Sequence, residues 1–228
     1  LTSVYAQDTW AFAEPWRATL GARVERWRAG NGATGNATTT LGLPQRTETF
    51  VSPKLAIARQ LTAEWSIKAS LGRAIRFPTV AELYQGSIST DVIVNNDPNL
   101  RPEKSWTSEL TGERAFGMGS VRLTAFFEDT DDALYSQTNV TVAPNVTSIQ
   151  NVDEISTRGM EVAYRSQPLF GDRLDLSASI TYARSRIEEN ASFPASVGKW
   201  QARVPDWRAN AFATYRFGER WSLTAGGR

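Results

Sequence analysis

The feature that most constrains the fold is an alternation of apolar and polar residues along segments long enough to cross a membrane. Between residues 16 and 25, the even positions are all apolar, whereas the odd positions are Arg, Thr, Gly, Arg and Glu. Successive side chains of a β-strand point to opposite faces, so this segment has one apolar face and one charged face. The charges on the polar face favour a water-filled interior. This pattern is typical of a membrane barrel with lipid outside and water inside.

The same alternation recurs along the chain and predicts about ten strands. They cover approximately residues 2–13, 16–28, 49–61, 65–76, 105–116, 120–128, 160–164, 174–182, 207–217 and 221 onwards. Short turns alternate strictly with long connections, which we expect at about 29–46, 77–102, 129–151 and 188–205. All long connections then meet at one end, as in outer-membrane barrels. We predict an all-β fold, an antiparallel up-and-down transmembrane β-barrel.

Aromatic residues are concentrated where the apolar faces meet the short turns. Amphipathic rings favour the boundary between membrane and water. We therefore predict an aromatic girdle at this end of the barrel, formed by Trp10, Trp16, Trp65, Phe217 and Trp221.

Composition excludes several classes of function. The 228 residues have a mean hydropathy of −0.37 and contain no run of the roughly 18–20 apolar residues that a spanning helix needs. With no Cys and no His, the chain has no disulfides, thiolate metal sites, cysteine nucleophiles or serine-type triads. A net charge of +1 gives no reason to expect nucleic-acid binding. We expect no enzyme activity, no cofactor and no metal site.

Five segments carry a family resemblance. Residues 73–84 read Arg-Ala-Ile-Arg-Phe-Pro-Thr-Val-Ala-Glu-Leu-Tyr, and residues 97–105 read Asp-Pro-Asn-Leu-Arg-Pro-Glu-Lys-Ser. Shorter matches are Tyr-x-Gln-Asp-x-Trp at 5–10, Thr-Arg-Gly-Met-Glu at 157–161 and Val-Pro-x-Trp-Arg at 204–208. In this order and together, they resemble the TonB-dependent receptors of the bacterial outer membrane.

The resemblance implies a 22-stranded barrel, filled by an N-terminal plug, that imports a scarce ligand with energy supplied through TonB. We expect residues 1–228 to hold about ten of those strands, without the plug or the TonB box. The expected cargo is a ferric siderophore, with cobalamin or another metal chelate as alternatives. The expected surroundings are outer-membrane lipid and lipopolysaccharide, and TonB would act through the plug.

Ligand contacts of such an importer should lie in the long loops and the upper lumen. Cationic side chains would meet an anionic ferric chelate, and aromatic rings would pack against its ring systems. For each residue, the alternative role is a solvated loop position or an ion pair within the lumen. The candidates are Arg76, Tyr84, Arg101, Tyr135, Lys199 and Trp200.

Two loop segments have simpler structural interpretations. Pro78 can open a helical turn with Thr79 and Glu82 as polar partners, which favours a scaffolding role for that motif. The acidic run at 128–132 has enough oxygens for calcium, but it lacks the spacing and the glycine of a calcium loop. We interpret this run as a hydrated acidic rim near the lipopolysaccharide.

Three other functions remain as alternatives. A small passive outer-membrane pore or adhesin barrel would share the strand pattern. An outer-membrane barrel enzyme is disfavoured because the barrel proteases and phospholipases use His. A soluble β-rich binding domain would bury the face that contains Leu20, Ala22 and Val24 against a second sheet.

Overall fold

The computed structural model describes residues 1–35, 38, 40–88, 92–95 and 97–228. Ten long strands form one antiparallel path in the order β1-β2-β5-β6-β9-β10-β11-β12-β13-β14. The elements are β1 (Thr2–Ala13), β2 (Trp16–Ala29), β3 (Ala33–Gly35), β4 (Thr40–Gly42), β5 (Arg46–Gln60), β6 (Trp65–Arg76), α1 (Val80–Tyr84), β7 (Gly86–Ile88), β8 (Val92–Asn95), β9 (Glu103–Phe116), β10 (Gly119–Asn139), β11 (Asn145–Ser166), β12 (Leu174–Glu189), a 3-10 turn (Pro194–Ser196), β13 (Trp207–Phe217) and β14 (Trp221–Gly227).

Three of the four predicted long connections are confirmed. Strands β10 and β11 continue as a paired hairpin to Asn139 and from Asn145, so most of the loop predicted at 129–151 is sheet. The prediction was wrong because this hairpin extends beyond the apolar band, where lipid no longer imposes an apolar residue at every second position.

One row of outward side chains shows how the apolar faces of nine strands line up. Its members are directly paired from each strand to the next, and all are apolar: Trp10, Ala18, Ile57, Ala69, Leu110, Ala125, Met160, Tyr182 and Trp207. In the part of the chain that the structure describes, no second sheet covers these side chains, and Leu110 is 53% exposed. A continuous exposed apolar band of this kind is typical of a lipid-facing barrel wall.

The opposite face is polar and is connected by hydrogen bonds between neighbouring strands. Thr9 and Thr19 are 3.0 Å apart, Thr111 and Thr124 3.1 Å, and Thr181 donates to Glu161 at 3.0 Å (distances between the side-chain oxygens). Such cross-strand pairs stabilise a sheet by roughly 0.2–1 kcal/mol each. The wet inner face predicted from the alternation is therefore present.

Buried apolar residues are concentrated at the end of the sheet away from the short turns. One cluster is formed by Trp27, Ala29, Leu83 and Leu100. A second is formed by Ala133, Val152, Ile155 and Ile187. The loops and the extended hairpin therefore have a packed core of their own, which fixes the side chains described below.

Within the described residues, β1 pairs with β2 alone and β14 with β13 alone, so both edges of the sheet are open. In the same part of the chain, no helix combines the length and the apolar character that crossing a membrane requires.

Candidate functional site

The candidate site is the end of the sheet that carries the long connections, here called the loop end. It consists of α1, residues 97–102, the β10–β11 hairpin beyond residue 130, and residues 190–206. The six predicted ligand contacts all lie at this end or at its margin: Arg76, Tyr84, Arg101, Tyr135, Lys199 and Trp200.

Arg76 is bound to the short helix α1 by an ion pair with Glu82. Thr79 caps this helix, and the side chains and backbone of Thr79 and Glu82 form a reciprocal capping box. The Arg76 Nη2 atom lies 2.5 Å from Glu82 Oε1. Burial acts to raise the pKa of Glu82, but the hydrogen bonds from Thr79 and Arg76 outweigh it, so the pKa is lowered. The predicted helical turn is confirmed, and Arg76 makes the ion pair given as its alternative role.

Tyr84 ends α1 and packs against the cluster that contains Trp27 and Leu100. Its ring lies flat on Gly32 in the connection between β2 and β5. A Cβ atom built at Gly32 would lie 2.7 Å from the ring carbon Cζ, so this close approach requires glycine. Tyr84 therefore joins two loops.

Arg101 lies in the most highly connected polar part of the loop end. Its Nε lies 2.6 Å from Asp132 Oδ1, and its Nη2 lies 3.2 Å from Asp153 Oδ1. Its backbone N–H donates to Asn151 Oδ1 at 2.8 Å. Lys104 Nζ contacts the other oxygen of Asp132 at 2.8 Å. Asp132 is buried and paired with two cations, so the interpretation of residues 128–132 as a hydrated rim is wrong at this position.

A cavity of about 430 Å³ adjoins this network and is lined mainly by polar residues, among them Asp97, Arg101, Gln150 and Asp153. The Gln150 side chain donates to Ser148 through Nε2, but its Oε1 is buried and has no hydrogen-bond partner among the described residues. Buried polar atoms are normally paired, so this amide offers an unsatisfied group in the cavity wall.

The extended hairpin also holds the connection 190–206. Tyr135 Oη donates to the carbonyl of Ala202 at 3.1 Å. Asp153 Oδ2 accepts the backbone N–H of Ala191 at 2.6 Å, while its other oxygen binds Arg101. Asp153 thus connects residues 97–102 with residues 190–206. Tyr135 belongs to the β10–β11 hairpin, and Arg101 is bound to the same hairpin through Asp132 and Asp153.

Lys199 and Trp200 lie apart from Arg101. Lys199 is exposed and forms no ion pair with any residue that the structure describes. Trp200 is 56% exposed, and the Arg184 guanidinium lies 5.3 Å from its ring centroid and 5.7 Å from that of Tyr182. Because Tyr182 belongs to the outward apolar row, Trp200 lies near the outer surface of the wall.

Three carboxylates of the loop end lie opposite one another on neighbouring strands: Asp131, Glu154 and Glu189. Burial and, after it, repulsion by Glu189 and other acidic neighbours raise the pKa of Glu154, which lies beyond the apolar band. Among the residues that the structure describes, no acidic group has the arrangement needed to hold a metal ion.

Sequence reasoning missed the residues that organise the loop end: Arg46, Asp132 (except as part of the acidic run), Asn151 and Asp153. Arg46 donates to the carbonyls of Pro98 and Leu100. Each partner is far away in sequence and is reached only through strand pairing, so no local motif marks these contacts.

The five residues predicted to form a girdle lie on the outward face at the ends of strands that meet the short turns. Arg59 lies over the Trp16 ring at 4.9 Å and Arg114 over the Trp65 ring at 5.5 Å. Trp221 is 76% exposed. Their role at a membrane boundary stays a prediction.

Curated relatives of the chain occur in Vibrio cholerae serotype O1, in strains of the El Tor and classical types. Both are named iron-regulated outer membrane virulence protein and are 26% identical over 228 aligned residues. The match covers 95% of this chain but 31% of each relative. The chain therefore spans about a third of the length of these proteins.

Solved structures share the fold. The copper transporter OprC superimposes with a TM-score of 0.73 at 20% identity, covering 98% of this chain and 33% of that one. The hemophore receptor HasR of Serratia marcescens, solved with its hemophore HasA and heme, gives 0.70 at 16% identity, covering 98% and 42%. The siderophore receptor PirA of Pseudomonas aeruginosa gives 0.66 at 19% identity, covering 98% and 39%. These likenesses confirm the predicted fold class.

The family model described as TonB dependent receptor-like, beta-barrel matches residues 1–228. The similar proteins are named as transporters, receptors or outer-membrane proteins, which confirms that the chain is not from an enzyme family and locates it in the bacterial outer membrane. The soluble-domain and barrel-enzyme alternatives are thereby rejected. The chain belongs to the family of TonB-dependent receptor-like β-barrels.

Proposed function

We propose that this chain forms part of the wall of an outer-membrane receptor that imports a metal chelate, with a ferric siderophore as its cargo. The observation that carries the proposal is the polar cavity at the loop end, where Arg101, Gln150 and Asp153 are held by a packed core. A binding site for an imported ligand has to be reachable from outside the cell, and this end carries the long connections.

The chemistry of Arg101 is suited to an oxygen-rich anionic chelate. A guanidinium has five N–H donors, and the ion pairs with Asp132 and Asp153 leave donors on Nη1 and Nη2 available. The side chain is 55% exposed, so a ligand can reach these donors. The two carboxylates fix the orientation of the guanidinium before the ligand arrives, which lowers the entropy lost on binding.

Names of similar proteins favour iron as the metal. The Vibrio cholerae relatives are named as iron-regulated, and PirA is named as a siderophore receptor. OprC is named as a copper transporter and HasR is solved with heme, so the tests need to include copper and haem as well.

The proposal also includes a plug domain and energy supplied through TonB. Near the short turns, the inner face borders a hollow of about 910 Å³ with charged walls, which include Arg17, Lys68, Glu113 and Glu161. A plug with complementary charge would pair with this wall. In cells that lack TonB, we expect uptake of the cargo to stop while its binding at the surface persists.

The test is ligand binding by the complete receptor purified in detergent, with catecholate and hydroxamate ferric chelates, haem and a copper chelate as probes. We expect Arg101→Ala to weaken binding of the cognate chelate about tenfold, as expected for a charge-assisted hydrogen bond. Arg76→Ala should weaken it less, because Arg76 acts through α1. Arg220→Ala, in the turn between β13 and β14 at the opposite end, is the matched control. Equal affinity of the three variants and the wild type would reject the site.

A further inference from the structure

The outward apolar runs of several strands end in an arginine. On β11 the outward residues Tyr164, Val162 and Met160 are followed by Arg158, and on β12 the residues Ile180 and Tyr182 are followed by Arg184. On β2 the outward run likewise ends, after Val24, in Arg26. The arginines therefore mark the limit of the apolar band on the side of the loop end.

Arg158 and Arg184 form the most unusual part of this boundary because they lie directly opposite each other on paired strands. Like charges in this arrangement destabilise a sheet. Both side chains are exposed, and neither has a hydrogen bond or ion pair with another residue that the structure describes. Within the described residues, the pair therefore lacks a counter-charge.

The surrounding groups do not supply that counter-charge. Asp129 is the diagonal neighbour of Arg158 on β10, yet the two form no ion pair among the described residues. The nearest carboxylate on β12, Glu188, lies 3.9 Å from Arg186 and pairs with it. The Arg184 guanidinium is instead held between the rings of Tyr182 and Trp200.

The position along the strands places the pair at the membrane boundary. Arg158 precedes the end of β11 at Ser166 by 8 residues (166 − 158), and Arg184 follows the start of β12 at Leu174 by 10 (184 − 174). A transmembrane β-strand needs about 9–11 residues. The pair thus lies where the hydrocarbon ends, on the outer side of the membrane.

We propose that Arg158 and Arg184 bind a phosphate of a lipid headgroup in the outer leaflet, and that this lipid is the phosphorylated lipid A of lipopolysaccharide. Two guanidinium groups that share one phosphate replace mutual repulsion with charge-assisted hydrogen bonds. Tyr182 and Trp200 provide the amphipathic rings that favour headgroup depth. This inference requires the outer-membrane location but neither the proposed cargo nor TonB.

The test measures lipid bound to the complete, detergent-exchanged receptor by native mass spectrometry. Diphosphoryl lipid A, dephosphorylated lipid A, phosphatidylglycerol and inorganic phosphate are the probes. We expect diphosphoryl lipid A to bind most tightly, and Arg158→Gln and Arg184→Gln each to weaken it about fivefold, as expected for one basic side chain at an anionic surface. The double variant should bind lipid A more weakly than either single variant, because no guanidinium then remains for the phosphate.

Two controls separate the site from general effects. Arg59→Gln removes an outward arginine that also lies over a ring, Trp16, but near the short turns, and it should leave lipid A binding unchanged. The double variant Arg158→Lys and Arg184→Lys keeps both charges and should retain most of the binding, even if the Gln variants fold poorly. The proposal is overturned if lipid A binding is insensitive to both Gln substitutions. It is also overturned if phosphatidylglycerol or inorganic phosphate binds as tightly as diphosphoryl lipid A.

Discussion

The Nη1 atom of Arg46 donates a hydrogen bond to the carbonyl of Leu100 at 2.9 Å, across 54 residues of sequence. The same atom donates to Pro98 at 3.0 Å, and the guanidinium lies 5.3 Å from the ring centroid of Trp27. Arg46 thereby fixes the segment that delivers Arg101 to its position beside the cavity.

Replacing Arg46 with Ala should release residues 97–101 from the sheet. Two hydrogen bonds from a charged donor are lost, so we expect the local opening free energy to fall by about 2–3 kcal/mol. Amide hydrogen exchange of this segment in the complete receptor should accelerate accordingly. Arg17→Ala, a change on the inner face at the opposite end, is the control and should leave this exchange unaltered.

Replacement by Asn should affect the stability of the protein differently at the neighbouring residues Asp131 and Asp132. Asp132→Asn leaves Arg101 and Lys104 without their shared carboxylate, and because both cations are partly exposed we expect a loss of only about 1–2 kcal/mol in stability. Asp131→Asn removes a repulsive charge opposite Glu154 and should be neutral or stabilising. The measurement is the midpoint of thermal unfolding of the purified receptor. Equal destabilisation by both changes would contradict the pairing.

Gly159 should not tolerate Ala. A Cβ atom there would lie 2.4 Å from Phe126 Cζ and 2.4 Å from the Tyr182 carbonyl oxygen. The Phe126 ring covers this glycine, an arrangement that stabilises strands at glycine positions. Gly159→Ala should reduce the amount of heat-modifiable, folded receptor in outer membranes, whereas Gly112→Ala, with no atom within 4 Å of its Cβ, should not. Equal yields of the two variants would show that the sheet adjusts at residue 159.

The capping box of α1 should depend on pH. The pKa of Glu82 lies below its ordinary value in the folded protein, so its contribution to stability is complete above that ordinary value and is lost as the pH falls through the lowered pKa. Exchange of the amides of residues 80–85, corrected for its intrinsic pH dependence, should therefore increase only in acid. Glu82→Gln should lose about 1 kcal/mol of helix stability at neutral pH and remove the acid response. An unchanged acid response in this variant would assign it to another group.

The strands of the membrane band could be predicted because lipid imposes an apolar residue at every second position. The hairpin from 131 to 153 could not, since lipid imposes no such pattern there and residues such as Thr138 and Thr147 pair without any apolar alternation. The same argument covers the loop end. Pro78, Thr79 and Glu82 form a local motif, so their helical turn could be predicted. The contact between Asp153 and Arg101 depends on strand register, so it could not.

Beyond residue 131, strand β10 of the β10–β11 hairpin continues for eight residues to Asn139, roughly 26 Å along the strand at about 3.3 Å per residue. Its tip is the end of the hairpin farthest from the apolar band. Residues 140–144 at the tip lie outside the paired strands and contribute nothing to the Arg101 network. Substitutions there can change what the cell displays to its surroundings while the cavity below keeps its shape.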